Sequence, residues 1–182
     1  MIKLGQVLKK FKSKKGREVI IRVVKKSDVN GLLDMINSII AEDDFIILDK
    51  KLTKEQEKEW LEKKISVILA KKGILICAEI NGKVIGNCEV TKKEGRLAHT
   101  GGLGISIIKE YREEGVGWVL MKEILKWAKK LKIKIVILDV FKTNQRALNF
   151  YKKLGFKIYG KLPKGALRRK KYVSDIKMYK EL

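Results

Sequence analysis

The hydrophobic period of the chain changes most sharply between Gly101 and Leu131. Up to Ile107 the apolar residues alternate. Leu103, Ile105 and Ile107 share one face, Ile108 completes the apolar end, and the pattern predicts a strand. From Val116 the period is helical: Val119, Leu120, Ile124, Trp127, Ala128 and Leu131 predict an amphipathic helix. Between the two lies Tyr111-Arg112-Glu113-Glu114-Gly115-Val116-Gly117.

The same reading extends along the rest of the chain. Met1 to Lys15 mixes Leu4, Val7, Leu8 and Phe11 with lysines, and fits either a short helix or an extra edge strand. Glu18–Val24 is a β-branched strand. Ser27 suits an N-cap for a helix from Asp28 to about Ala41, with Val29, Leu32, Leu33, Ile36 and Ile39/Ile40 on one face. Thr53-Lys54-Glu55-Gln56 is a capping box for a helix to about Leu69. Ile74–Ile80 and Lys83–Val90 read as a hairpin closed by Asn81-Gly82. Arg96–Ile108 reads as one long strand with a bulge or splay at Gly101-Gly102. Lys132–Val140 has the continuous apolar character of a central strand. Asn144 opens a short helix, Gln145–Leu154, stopped by Gly155. Phe156–Tyr159 and Tyr172–Tyr179 are closing strands, joined by a basic Lys161–Lys171 loop. The order predicts a mixed α/β fold, largely antiparallel at first, with a strand–helix–strand crossover later.

Composition narrows the class. At 182 residues and 45% hydrophobic, the chain is expected to form a single domain over 1–182, with 1–17 as a basic extension or edge strand. No run of 18 apolar residues occurs and the N-terminus does not resemble a signal peptide, so neither a membrane nor secretion is expected. Cys77 and Cys88 sit in apolar runs without metal-ligand spacing. They read as small core residues in a reducing cytoplasm, and no metal is expected. The net charge of +22, including +9 over residues 1–26, attracts polyanions and keeps non-specific nucleic-acid association open. A lysine-rich proteome accounts for the same charge.

The Gly101–Leu131 stretch carries candidate chemistry. A strand that turns through glycines into a helix presents backbone N–H groups and the positive end of the helix dipole. Together these hold a phosphate or pyrophosphate. Arg112-x-x-Gly115-x-Gly117, after the strand end Ile105-Ser106-Ile107, resembles the acetyl-CoA pyrophosphate loop of the GNAT superfamily of N-acetyltransferases. Asn144, Tyr151 and Leu154-Gly155-Phe156 resemble that family's second signature. Ile21-Arg22, Asp28 and Asp175-Ile176-x-Met178 also resemble family features, and the likeness runs from about Val19 to Leu182.

The resemblance implies a six- to seven-stranded mixed sheet with splayed central strands, flanked by about four helices. It implies acetyl-CoA as co-substrate and attack by a primary amine through a tetrahedral intermediate. Ile105, Ser106 and Ile107 would line the pantetheine arm. The N–H groups of Arg112, Glu113, Glu114, Gly115, Val116, Gly117 and Trp118 would hold the pyrophosphate. Asn144 would bond the pantetheine or organise its helix, and Tyr151 would protonate the departing sulfur. Glu113 and Glu114 depart from the family, where small or basic residues are commoner, and weaken anion binding unless they point away. For the general base two residues stand out. His99 is the only histidine, with a structural strand histidine as the alternative, and Glu89 is placed to polarise a water. Glu42, Asp43 and Asp44 form an acidic spot that would draw a cationic acceptor or simply end a helix. The acceptor is a protein N-terminus or lysine, a polyamine or another small amine, and the protein a monomer or homodimer. The competing classes are a basic nucleic-acid-associated protein and an acyl-CoA-binding protein with weak catalysis.

Overall fold

The computed structural model describes residues 2–42, 45–168 and 170–182. The chain runs β1 (Val7–Lys12), β2 (Glu18–Val23), α1 (Val29–Ala41), α2 (Lys54–Leu69), β3 (Gly73–Ile80), β4 (Lys83–Lys92), β5 (Thr100–Ile107), α3 (Val116–Lys130), β6 (Ile135–Phe141), α4 (Gln145–Lys153), β7 (Lys157–Arg168) and β8 (Lys171–Glu181). All strands join one eight-stranded sheet ordered β1-β2-β3-β4-β5-β6-β8-β7. Every pairing is antiparallel except β5 with β6. The mixed α/β reading is therefore correct, and β1 takes the edge-strand option and raises the strand count to eight.

The β5–β6 ladder is short. It covers Thr100–Gly102 against Ile135–Ile137 and stops. Leu103 to Ile107 continues paired to β4 alone, and Leu138 to Phe141 to β8 alone, so the two central strands splay. Gly101 permits the close approach where they still touch, because a Cβ there would lie 2.9 Å from Ile133 Cδ1 and 3.0 Å from Val90 Cγ2. No bulge accompanies Gly101-Gly102, since the register with β4 is continuous. The strand also starts later than the sequence predicts. Gly95, at φ +58°, turns the chain through a short 3-10 helix, Gly95–Leu97, before β5 begins at Thr100.

Alternation assigns the two faces of the sheet. On β4, Glu89 reaches Lys64 of α2, whereas Cys88 lies 4.0 Å from Met121 of α3. So α1 and α2 cover one face, and α3 with α4 the other. Ile21, Leu75, Ile76 and Ile85, together with Leu120 and Ile124, are fully enclosed between these layers. Burial of such side chains is the main favourable term, at roughly 1.5–3 kcal/mol each.

Polar groups fix the entry to α1. Arg22 grips Asp28 through two bonds of 2.7 and 2.9 Å and donates to Glu79 at 2.8 Å. The Asp28 carboxylate also accepts the Lys25 N–H, and a 3-10 turn over Lys26–Asp28 precedes the helix, so Ser27 is not its cap. The Thr53–Gln56 capping box forms as read. At the other end of the sheet, the predicted Lys161–Lys171 loop is largely strand: β7 continues to Arg168 and pairs with β8 across a register shift between Leu162 and Ala166. Pro163 is tolerated there because β7 is an edge strand.

Glu57 lies on the apolar face of α2 with Leu61, Ile65 and Ile68 and is only 4% exposed. Burial raises its carboxyl from 4.5 to about 7. The folded state therefore holds this proton more tightly than the unfolded chain. Its contribution to stability is fully present below the ordinary value, falls as pH rises through about 7, and is lost above that. Glu57→Gln should leave the unfolding free energy unchanged at pH 4 and raise it at pH 8, on the order of 3 kcal/mol. Urea titrations at the two pH values would check this.

Candidate active site

The splay of β5 from β6 opens a cavity of about 1320 Å³. The hydrogen-bond pattern shows what β5 presents to it. Ile108 N–H donates to Ile85 O, and antiparallel alternation then turns the polar groups of Ser106 and Gly104 toward β4. Those of Leu103, Ile105 and Ile107 point the other way, into the wedge. The Ile107 carbonyl accepts from Arg112 Nε at 2.8 Å.

At one end of the cavity the chain turns from β5 into α3. Glu113 at φ +65° and Gly115 at φ +89° are both left-handed. The first α3 bonds are those from the Trp118 and Val119 N–H groups to Gly115 O. The N–H groups of Val116 and Gly117 precede them and have no intrahelical partner. A Cβ on Gly117 would come within 3.2 Å of Ile107 Cδ1 and 3.6 Å of Phe150 Cζ, so glycine lets the helix start against β5. Lys12, Ser13 and Lys14 of the β1–β2 turn line the same end.

The opposite end lies on the α1/α2 face. Phe45, Ile46 and Leu48 meet Phe141 of β6 and Gly165 and Ala166 of β7 there. Asp139 and Asp175 also line it, and Lys177 bridges them at 3.2 and 3.7 Å. Burial, and then the charge of Asp139, raises the Asp175 carboxyl above its ordinary value. Arg168 stacks on Phe45 at 4.7 Å, bringing the end of β7 over the segment between α1 and α2.

The sequence model of the Acetyltransferase (GNAT) family matches residues 34–156. The chain belongs to this family. A crystal structure described as an acetyltransferase of the GNAT family from Streptococcus pneumoniae superposes with a TM-score of 0.81 at 31% identity, over 90% of this chain and 99% of that one. L-amino acid N-acetyltransferase AaaT of Escherichia coli K12 is 33% identical over 54% of this chain, an alignment spanning 62% of AaaT. An uncharacterized N-acetyltransferase of Methanocaldococcus jannaschii is 30% identical over 75% of this chain and 59% of its own length. The chain thus spans about six tenths of these two curated relatives. Family membership carries acyl-CoA-dependent N-acetyl transfer in general.

Within this GNAT fold the expected site residues separate into three groups. Ile105, Ser106, Ile107, Arg112, Glu113, Glu114, Gly115, Gly117, Trp118, Asn144 and Tyr151 all line one cavity. Their local partners differ from one to the next. The Arg112 amide is taken by Lys109 O and the Trp118 amide by Gly115 O, which leaves the amides between them for an anion. The Val116 side chain is buried core. Asn144 caps α4 by accepting the Ala147 N–H at 3.1 Å. Tyr151 is buried, and burial, with Cys88 second, pushes its phenol above the ordinary value, so it stays protonated. Glu113 is exposed, and Glu114 turns away into partners on the β1–β2 turn.

A second group is held in ion pairs, and of these Glu42 also lines the cavity. Glu42 pairs with Arg112 at 2.6 Å and accepts the Lys109 N–H at 3.3 Å, so its charge is already compensated on the loop side. Glu89 pairs with Lys64 at 2.5 Å, beside Gly104. Asp43 and Asp44 lie outside the described residues. The third group is His99 alone. It is exposed, precedes β5 instead of lying on it, and its carbonyl accepts the Lys134 and Ile135 N–H groups. Six residues of extended chain put it roughly 20 Å from Ile105, away from the cavity. Sequence reasoning missed Asp139 and the Phe45–Leu48 segment, and noted Asp175 only as a family-like feature without a place in the site. A lone carboxylate in the apolar run Lys132–Val140 was the available signal for Asp139.

The rail along Ile105–Ile107 depends on Gly86 of β4, where a Cβ would stand 2.8 Å from the Ser106 carbonyl oxygen. Backbone there cannot yield without moving β5. Gly86→Ala should destabilise the fold by about 1–3 kcal/mol. It should also weaken donor binding more than a core substitution of equal stability cost placed in α2. Thermal melts and donor titrations on both variants would test the pairing.

Proposed function

We propose that the chain is one N-acetyltransferase domain that moves the acetyl group of acetyl-CoA to a primary amine by direct attack. The observation that carries this reading is the continuity of three features in one cavity. These are the outward-facing polar groups of Ile105 and Ile107, the unpartnered amides at the start of α3, and the Tyr151 phenol. Their spacing suits a donor with a pyrophosphate at one end and a thioester at the other. Two free buried cysteines suit a reducing cytoplasm.

In this reading the amides of Glu114 to Gly117 and the α3 dipole bind the pyrophosphate. Trp118 and Phe150, edge to face at 6.3 Å, wall the apolar passage beside it. The pantetheine amides pair with the exposed edge of β5, completing a strand ladder that β6 leaves open. The Ile105 or Ile107 N–H then faces the thioester oxygen and stabilises its developing negative charge. The protonated Tyr151 donates to the sulfur as the C–S bond breaks.

The acceptor enters from the α1/α2 face. Asp139 and Asp175, which share the single cation of Lys177 and so keep one net negative charge, receive its ammonium, and Phe45, Ile46, Leu48 and Phe141 receive an apolar body. An ammonium beside an apolar substituent describes an amino acid or a peptide N-terminus. The likeness to AaaT, an L-amino acid N-acetyltransferase, supports beginning with the former. No histidine is needed, because a water chain to Asp175 removes the ammonium proton.

Calorimetry with acetyl-CoA, followed by thiol release over a panel of L-amino acids, short peptides and polyamines, tests the proposal. Micromolar donor binding and turnover with an apolar amino acid or peptide are expected. Absence of binding rejects the reading, and binding without turnover on any amine turns it to an acyl-CoA-binding protein. Tyr151→Phe should lower kcat by ~100-fold with unchanged acetyl-CoA affinity. Asp175→Asn should raise KM for the amine, lower kcat and leave donor affinity alone, as steady-state kinetics in both substrates would show.

A further inference from the structure

The α3 loop carries acids where an anion is to bind, and the fold deals with one of them specifically. Glu114 is 2% exposed. Its carboxylate accepts from Ser13 Oγ at 2.8 Å and pairs with Lys15 at 3.3 Å and Arg17 at 3.8 Å. Its carbonyl accepts the Lys14 N–H at 3.0 Å. Arg17 reaches further along the same loop, to Glu110 at 3.6 Å and over the Tyr111 ring at 4.8 Å. Burial pushes the Glu114 carboxyl up, but the Ser13 hydroxyl, Lys15 and Arg17 outweigh it and hold the group below its ordinary value. It is an anion in place.

These contacts join parts of the chain about a hundred residues apart, and all land on the segment just before the free amides of α3. That segment includes Glu113 in the left-handed region, where a residue other than glycine is strained. Such a conformation persists when its surroundings over-determine it. Successive left-handed and right-handed residues aim their amides into one concavity, the form that receives an anion.

We infer that Glu114 is a positioning residue: clamped by the Ser13–Arg17 turn, it holds the α3 loop in its anion-receiving form before the donor arrives. This rests on the acetyl-CoA reading above. The acid that departs from the family pattern thus serves the site instead of repelling its ligand, because its charge is spent on Ser13, Lys15 and Arg17. A loop that is only fractionally in the competent form binds more weakly by that fraction.

The sign of one substitution separates the two roles. Coulomb repulsion alone predicts that Glu114→Gln tightens binding of an anionic donor, since a negative charge leaves and two cations are released. Positioning predicts the reverse. Glu114→Gln and Ser13→Ala should each weaken coenzyme A binding, measured calorimetrically, by roughly tenfold, the worth of one charge-assisted bond. With S-acetylpantetheine, which lacks the pyrophosphate, kcat/KM should stay at the wild-type value. Adding Glu113→Gly to Glu114→Gln should not cost further affinity, because the strained position no longer needs its clamp. Melting temperatures confirm that each variant is folded. Tighter coenzyme A binding by Glu114→Gln, or a fall in kcat/KM with S-acetylpantetheine as large as the loss of coenzyme A affinity, would overturn the inference. Wild-type protein that fails to bind coenzyme A would instead remove the reading beneath it.

Discussion

Strands β5 and β6 are parallel neighbours that hydrogen-bond only along Thr100–Gly102 and Ile135–Ile137. Past that point each keeps its outer partner and loses the inner one. A buried backbone N–H or carbonyl without a partner is costly, and native folds rarely leave one so. The wedge therefore presents a strand edge inside the protein that a ligand's amides can complete. The helices, the loop and the cavity all take their places from that divergence. α3 starts where β5 has already turned away, and α4 delivers Tyr151 to the same side.

Electrostatics divides the cavity into two ends. The β1–β2 turn and the α3 loop supply free amides and lysines at one end, where an anion is stabilised. At the other, Asp139 and Asp175 stand among aromatic and aliphatic side chains in a protein of net charge +22. A cationic acceptor meets a repulsive surface at long range, screened beyond about 8–10 Å in physiological salt, and an attractive pair of carboxylates at short range.

The residues proposed for the donor end form local patterns in the sequence. Arg112 to Gly117 is a change of period punctuated by glycines, and Asn144 to Phe156 is a capped helix with a glycine stop at φ +84°. Local patterns of this kind follow from backbone sterics alone. The proposed acceptor end was not legible, because it is assembled from four separated segments. Phe45 comes from an irregular connection, Asp139 and Asp175 from paired strands, and Gly165 from a strand that its run of basic residues made read as a loop. His99 stood out only as the sole histidine, and the turn at Gly95 removed it from the strand that gave it a role. Nothing local announced that Ser13 would meet Glu114; that contact depends on β1 taking the sheet edge.

On the proposed function, the donor completes the open edge of β5 and the free amides of α3 together. Amide hydrogen exchange, with and without acetyl-CoA, tests it most directly. The account predicts that exchange slows at Ile105, Ile107, Val116 and Gly117 together, with little change at Gly104 and Ser106, whose amides are already paired to β4. Slowing confined to Gly104 and Ser106, or no change at either β5 or the start of α3, would contradict it.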